Sequence, residues 1–229
     1  MVKNFFVWTW RTVVAFLLGS VMVVAVLRVI PPAITPLMAM RLVQAPFTGH
    51  RLTNAHSWIS YGNCSPAIFR AVQSGEDGKF LRHNGIDWKA VERAKHVNAG
   101  RVKRGKPPLG ASTITMQTSK NVFLLPWRFM VRKAFEVYFV YLIEAIWGKQ
   151  RILEVYVNMI EWGDGLYGVD AASRYYFHKS ASELTNADAA LLAAVVPNPR
   201  RFHADAPSAY TRKRASFIAG RMRGMPLPK

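Results

Sequence analysis

Gly110–Asn121 reads GASTITMQTSKN, the densest run of small hydroxyl and amide side chains in the sequence, closed by a Lys–Asn pair. A basic, Pro/Gly-rich segment, Arg101–Leu109, leads into it, and a strongly apolar one, Val122–Met130, leads out. A short polar helix opened by Gly, Ser and Thr and closed by Lys suits a phosphate-bearing ligand. Free N–H groups in its first turn and the lysine charge both favour anions. The same residues also suit a capped surface helix with Ser112 or Thr113 at the N-cap. Choosing between the two needs the segments on either side.

Just beyond the apolar run, Arg132–Trp147 (RKAFEVYFVYLIEAIW) predicts a long helix, apolar on nearly every face, that carries Glu136 and Glu144. Such a helix is buried or touches lipid, and a charge within it is costly unless paired or functional. Arg132 and Glu136 stand four apart on one face, so a purely structural pair is one reading and a functional pair the other. Upstream, no acidic residue precedes Glu76, so any carboxylate chemistry belongs to the later part of the chain.

The 229 residues leave room for one ordinary domain plus an anchor. The formal charge of +18, from 31 basic and 13 acidic residues, points to an anionic partner: nucleic acid, an anionic membrane surface or a phosphorylated substrate. Cys64 is the single cysteine, which excludes an internal disulfide and a Cys-rich metal site. Thr12–Leu27 is apolar or small throughout, and read on to Ile30, with Arg28 snorkelling, it approaches the roughly 20 residues that span a bilayer. Lys3 and Arg11 flank its start, which makes residues 1–11 a cytoplasmic tail, although Arg28 and Arg41 on the far side run against that orientation. Pro31-Pro32 ends the segment where a signal peptide would show a small-residue cleavage site, favouring an uncleaved transmembrane helix over residues 12–30. Residues 31–56 then form a membrane-proximal connector, and 57–229 the domain outside the cytoplasm.

Within that domain, Pro66 suits the first turn of a helix running to about Ser74. Asp87–Lys95 predicts another helix, and Asn98–Pro108 a mobile basic loop. Lys149–Ile160 is amphipathic, Glu161–Gly168 reads as a Gly-rich turn, and Val169–Phe177 as a helix. Thr185 with Asp188 makes a capping-box start for a helix that Pro197 and Pro199 stop, and Ser208–Arg223 is a basic C-terminal helix. Nothing alternates like strands over any length, so the class is mainly α.

The chemistry narrows by type. The sequence has no metal-ligand spacing, no Gly-x-Ser-x-Gly and no Ser-x-x-Lys. The P-loop-like Gly100–Lys106 places Pro107 where Ser or Thr should stand, with no strand leading in. No aromatic residues interleave the basic run for base stacking, which argues against nucleic acid. What remains is a pair of carboxylates, Glu76 and Glu136, flanking the polar stretch. Two carboxylates across a sugar are the usual kit for chemistry at a glycosidic carbon. A phosphate leaving group needs positive charge, which Lys120, Arg132 and Lys133 can supply. Transfer from a sugar phosphate is therefore more natural than plain hydrolysis.

At these residues the chain resembles the peptidoglycan glycosyltransferases, the penicillin-insensitive transglycosylase domain of glycosyltransferase family 51. Glu76-Asp77, Phe80, His83 and Gly85 are similar to its first signature, Gly110–Gln117 with Lys120-Asn121 to the second, and Arg132-Lys133 with Glu136 to the third. Lys149–Tyr156 with Asn158, Gly163, Gly168 and onward to Lys179 resembles the fourth, and Leu184 to Pro199 the fifth. Ala111 and Met116 depart from the usual Gly and Gln of the second, so no role is carried to Met116.

The resemblance implies a lysozyme-like helical catalytic domain preceded by one transmembrane helix. A membrane-associated jaw lobe would span roughly residues 122–147, with the apolar run and Trp127 dipping into lipid. It implies polymerisation of lipid II on an undecaprenyl pyrophosphate-linked glycan, with Glu76 as general base and Glu136 acting at the donor pyrophosphate. Lys120, Arg132 and Lys133 would neutralise that pyrophosphate. Ser112, Thr113 and Gln117 would line the donor cleft, and Asp77, Phe80 and His83 would position Glu76, with a structural hydrogen-bonding role for His83 equally open. No cofactor is required by this scheme, although a divalent cation (Mg or Mn) at the pyrophosphate, with Glu136 as candidate ligand, is compatible with it. The expected setting is the bacterial inner membrane, single-pass, with the catalytic domain periplasmic. Expected partners are lipid II, lipid-linked glycan and membrane lipids, with room for other cell wall synthesis or division proteins and none for nucleic acid. Two rivals stay open on the residues alone: a lytic enzyme of the same general fold, and a basic anchored binding protein without catalysis.

Overall fold

Local signals start and stop most of the helices. Pro66 opens a helix over Pro66–Glu76, with Ser65 as N-cap accepting from the Ala67 N–H. Asp87 caps the next, Thr113 the polar one, and Ser208 the last. At Thr185 the capping box closes in both directions with Asp188, as expected for Asp in place of Glu. The computed structural model describes residues 2–48, 55–125 and 130–228. In chain order its helices are α1 (Val2–Leu27), α2 (Pro36–Thr48), α3 (Pro66–Glu76), α4 (Trp88–Lys103), α5 (Ile114–Phe123), α6 (Met130–Ile146), α7 (Gly148–Met159), α8 (Val169–Phe177), α9 (Asn186–Val195) and α10 (Ala209–Met222). The fold is mainly α.

Two clusters of helices position the site. In one, α3, α9 and α10 pack on each other. The small side chains Ala189, Ala190, Ala193 and Ala194 of α9 are buried and let its neighbours approach closely. In the other, α5 lies against α6 and α7. Helix α7 is more central than its amphipathic pattern predicts: Val155, Val157 and Met159 are buried along with Ile152, Leu153 and Tyr156. Asn158 is fully buried on it and satisfied, donating to the Ile59 carbonyl and accepting from the Ile59 N–H, both at 2.9 Å.

Four expectations are corrected. The predicted turn over 161–168 contains strands β2 (Glu161–Gly163) and β3 (Leu166–Tyr167), which join β1 (Ala55–His56) in a sheet of order β1-β3-β2, parallel between β1 and β3. Strands this short carry no alternation to detect. The first strand also shows that the domain draws on residues before 57. The basic segment 98–108 is not one loop, because α4 continues to Lys103. Arg, Lys and Ala favour helix enough to absorb Gly100, and Asn98 ties the following loop back, exchanging hydrogen bonds with Leu109 at 2.7 and 3.0 Å. The connector contains α2, which packs on α5 and buries Met38 and Ala45. Finally, α1 starts at Val2 and ends at Leu27, with Arg28–Ile30 in a closing turn.

Helix α1 is long and apolar enough to cross a membrane over Asn4–Leu27, with a mean hydropathy of 2.1, and fits a single transmembrane helix. Its C-terminal half docks on the domain. Val24 is fully buried, Ser20 and Tyr138 share a 2.6 Å hydrogen bond, and the Trp147 indole donates to the Val24 carbonyl at 2.7 Å. Arg151 donates to the Leu27 and Ile30 carbonyls, capping the end of the helix.

Val122 is buried and Phe123 stacks on Phe139 at 4.5 Å, so the start of the apolar run faces the protein rather than outward. Exposed apolar side chains come instead from Leu125, from Val131, Phe135 and Tyr141 on α6, and from Leu42, Val43 and Phe47 on α2. Trp127 lies outside the described residues.

Candidate active site

Glu76 is the last residue of α3, where the helix carbonyls disfavour a negative charge. Three helices answer this. Gln117 of α5 donates to Oε2 at 3.1 Å, and Arg214 of α10 bonds Oε1 at 2.8 Å. From α7, the Tyr156 hydroxyl donates to the Gln117 carbonyl oxygen at 3.2 Å and so fixes which end of the amide faces the carboxylate. Burial pushes the Glu76 carboxyl above the ordinary range, further helped by the charge of Asp77. The Gln117 hydrogen bond and the Arg214 charge pull it back without cancelling the rise. A carboxylate whose proton affinity is raised by burial while two donors orient it has the character of a general base.

Asp77 is the C-cap of α3 and is buried. Its oxygens lie 3.0 and 3.1 Å from the His83 Nε2, which must carry the proton because both neighbours accept. Asp77 also accepts from the Ile114 N–H at 3.1 Å. That last bond changes the reading of the polar stretch. A phosphate cradle at the start of α5 needs free N–H groups, but Ile114 gives its own to Asp77 and Met116 gives its own to Thr113. The protein's own carboxylate fills the anion-attracting end of the helix. The cation lies at the opposite end, at Lys120.

Around Lys120 the charges gather. Burial lowers its ammonium, the Glu136 carboxylate raises it, and the neighbouring charges of Arg132 and Lys133 lower it again, with a net fall. Glu136 is buried on α6 and receives its ion pair from Lys133, three residues earlier, at 2.7 Å. The predicted Arg132–Glu136 partnership is thus taken over by Lys133, while the Arg132 Nε is buried without a hydrogen-bond partner. Three cations in a partly buried site with one carboxylate make a place for a strong anion. Glu136 is the carboxylate beside them, so a divalent cation there would take its other ligands from water and from a bound pyrophosphate. Among the described residues no group of three or more His, Cys, Asp and Glu side chains is close enough to hold a metal. Gln117 and Lys120 lie one turn apart on α5, with Cβ atoms about 5–6 Å from each other, so a single helix carries the contact to Glu76 and the charge beside Glu136.

The remaining predicted residues divide. Phe80 is 1% exposed beneath the Lys149 ammonium, 4.5 Å from the ring centre, and supports the turn rather than facing a ligand. Thr113 is buried, capping α5 and donating to the Gly85 carbonyl. Gly85 takes φ +86°, and a Cβ there would stand 2.3 Å from Val140, so only glycine fits the bend that meets this hydroxyl. Ser112 is exposed at the mouth of the stretch. The Glu144 carboxylate accepts from Thr115 and Lys149, both at 2.6 Å, and Lys149 also bonds the His83 carbonyl. That network ties α5, α6 and α7 to the turn after Asp77. Arg214 and the roles of Tyr156 and Lys149 are not evident from sequence. Only the last two lie within a quoted signature.

The transglycosylase family model matches residues 45–223. The chain belongs to that family. Among relatives, the chain is 42% identical over 225 residues to a biosynthetic peptidoglycan transglycosylase of Bacteroides thetaiotaomicron, covering 98% of this chain and 89% of the relative. A protein of the same name from Bdellovibrio bacteriovorus is 45% identical over 216 residues, covering 94% and 84%. One from Rhodospirillum centenum is 46% identical over 219 residues, covering 93% and 90%. As a transglycosylase the protein is a glycosyltransferase, and Glu76 beside Gln117 and the cations around Lys120 are the two sides of its candidate active site.

Proposed function

We propose that the protein is a peptidoglycan glycosyltransferase that polymerises lipid II into β-1,4-linked glycan strands for bacterial cell wall synthesis. The observation that carries this reading is the pairing of a raised, doubly hydrogen-bonded carboxylate at Glu76 with a cation cluster one helical turn away along α5. The growing glycan, as donor, places its undecaprenyl pyrophosphate against Lys120, Arg132 and Lys133. The acceptor's GlcNAc 4-hydroxyl faces Glu76. Its oxygen attacks MurNAc C1, Glu76 takes its proton, and the bond from C1 to the phosphate oxygen breaks, with inversion at C1. The pyrophosphate departs with the bonding electrons, and the cations stabilise the charge that develops on it. Glu136 holds Lys133 in that cluster. No step is routed through a metal.

The family relatives' names support peptidoglycan as the product. A lytic enzyme would have no use for the cation cluster. In this reading α1 is an anchor in the bacterial inner membrane, with the catalytic domain periplasmic and the exposed apolar side chains of α6 and α2 turned to lipid, and the length and apolar character of α1 support it. Incubation of the full-length protein with labelled lipid II is expected to give a ladder of lengthening glycans on a gel. Shortened fragments from preformed glycan, with no ladder, would favour the lytic reading.

A further inference from the structure

Arg214 lies on α10, in no part of the chain that the signatures cover, and 138 residues from Glu76. One terminal nitrogen, Nη2, serves two acceptors: the Glu76 carboxylate at 2.8 Å and the Gly75 backbone carbonyl at 3.0 Å. Both belong to the last turn of α3, where carbonyls lack intrahelical partners. The arginine therefore grips the catalytic side chain and the backbone beside it at once.

The grip is rigid. Helix α10 packs on α3 through Ile218, fully buried, whose side chain fills the space over Gly75 so closely that a Cβ there would stand only 3.0 Å from it. The Ser74 hydroxyl donates to the Ile218 carbonyl at 3.3 Å, fixing the register of the two helices. On the other carboxylate oxygen stands Gln117, itself oriented by Tyr156. Each oxygen of Glu76 thus has one donor, from a different helix, which sets the rotamer and leaves the remaining lone pairs for an incoming proton.

The arrangement is not what stability alone would select. The Arg214 Nε is buried with no hydrogen-bond partner, a cost that native proteins usually avoid outside functional sites. We propose that Arg214 is a positioning residue for the transferase reaction, holding Glu76 in the orientation and charge state that a general base requires. This rests on the reading of Glu76 as that base. Among the described residues, the charged and titratable groups facing Glu76 are Asp77, tied to His83, Tyr156 from α7, and Arg214 from α10. Of these only Arg214 brings a positive charge against the carboxylate, opposing the burial that favours the neutral acid.

The test is the pH dependence of polymerisation by the full-length protein, for wild type, Arg214→Met and Arg214→Lys, with folding checked by thermal denaturation. Arg214→Met is expected to lower kcat about 10- to 100-fold, the scale of a misplaced catalytic group. Lipid II KM is expected to stay within about twofold, because Arg214 bonds Glu76 and Gly75 and not the cation cluster proposed to bind the pyrophosphate. The acidic limb of the profile is expected to move to higher pH. Arg214→Lys keeps the charge but cannot hold both acceptors in the same geometry, so its acidic limb stays near the wild-type position while kcat falls. An unmoved acidic limb in Arg214→Met, or wild-type kcat in Arg214→Lys, overturns the proposal. If Arg214→Met does not fold, the Arg214→Lys rate decides. Glu76→Gln run in parallel separates the two levels. Retained turnover in it removes Glu76 as base, whereas its loss alongside unchanged Arg214 variants removes only the role of Arg214.

Discussion

Two carboxylates of the same type, Glu76 and Glu136, are held in opposite ways. Glu76 takes its partners from 41 and 138 residues away, on two different helices. Glu136 takes its ion pair from Lys133, three residues earlier on its own helix, and that lysine is 53% exposed. The first is fixed by the packing of the whole domain. The second is fixed by one helical turn, on a helix that also carries exposed apolar side chains. A base must meet its proton in one geometry, and tertiary contacts hold it there. A charge that steadies an adaptable cation cluster can be held locally.

Four measurements would break or sharpen that contrast. The largest effect is expected from Glu76→Gln, which should fold and anchor normally but lose polymerisation by about 100- to 10,000-fold, the usual contribution of a general base. A ladder of normal intensity from this variant would end the assignment. Next, Lys120→Ala is expected to weaken donor binding about tenfold, the loss of one charge-assisted contact, with the acceptor KM little changed. Equal donor affinity in a direct binding titration would move the pyrophosphate elsewhere.

The pH profile gives a third measure. Glu76 acts as base only when ionised, and burial raises its carboxyl, so activity should be lost as pH falls through a value above the ordinary glutamate range. An acidic limb at or below the ordinary value would mean that another group limits the rate. The smallest effect is expected from Lys133→Met. Its ammonium is half exposed, so water can take its place beside the buried Glu136 carboxylate, and the rate should fall only a few-fold. A loss as large as that of Glu76→Gln would show that Glu136 depends on Lys133 as closely as Glu76 depends on its distant partners.

Much of the frame is legible from residues alone because its causes are local. Pro66 and Thr185 with Asp188 act within four residues of themselves and start helices as expected, and of Ser112 and Thr113 the structure uses Thr113 as the cap. The apolar character of Arg132–Trp147 likewise foretells a helix. Where the reading fails, the cause lies outside the segment. The basic run 98–108 resembles a loop because Gly100 and the charges signal irregular chain, yet Asn98 closes the following loop onto an extended α4. The small sheet depends on a parallel pairing between residues more than a hundred apart. The expected phosphate cradle falls at the wrong end of α5, because nothing in Gly110–Asn121 announces that Asp77 already occupies its first turn.

By itself, then, the sequence determined most of the helices of the domain, some of their caps, the apolar N-terminal segment, and the residue types needed for transfer from a sugar phosphate. Those depend on periodicity, on hydrogen bonds spanning one turn, and on side-chain chemistry. Tertiary structure alone decided which of those residues meet. Helix α10 reaches Glu76 because Ile218 packs into the space left open at Gly75, and Gln117 faces it because Tyr156 holds the amide from α7. Such contacts depend on the close packing of four helices, α3, α5, α7 and α10, and no window of the chain contains all of them.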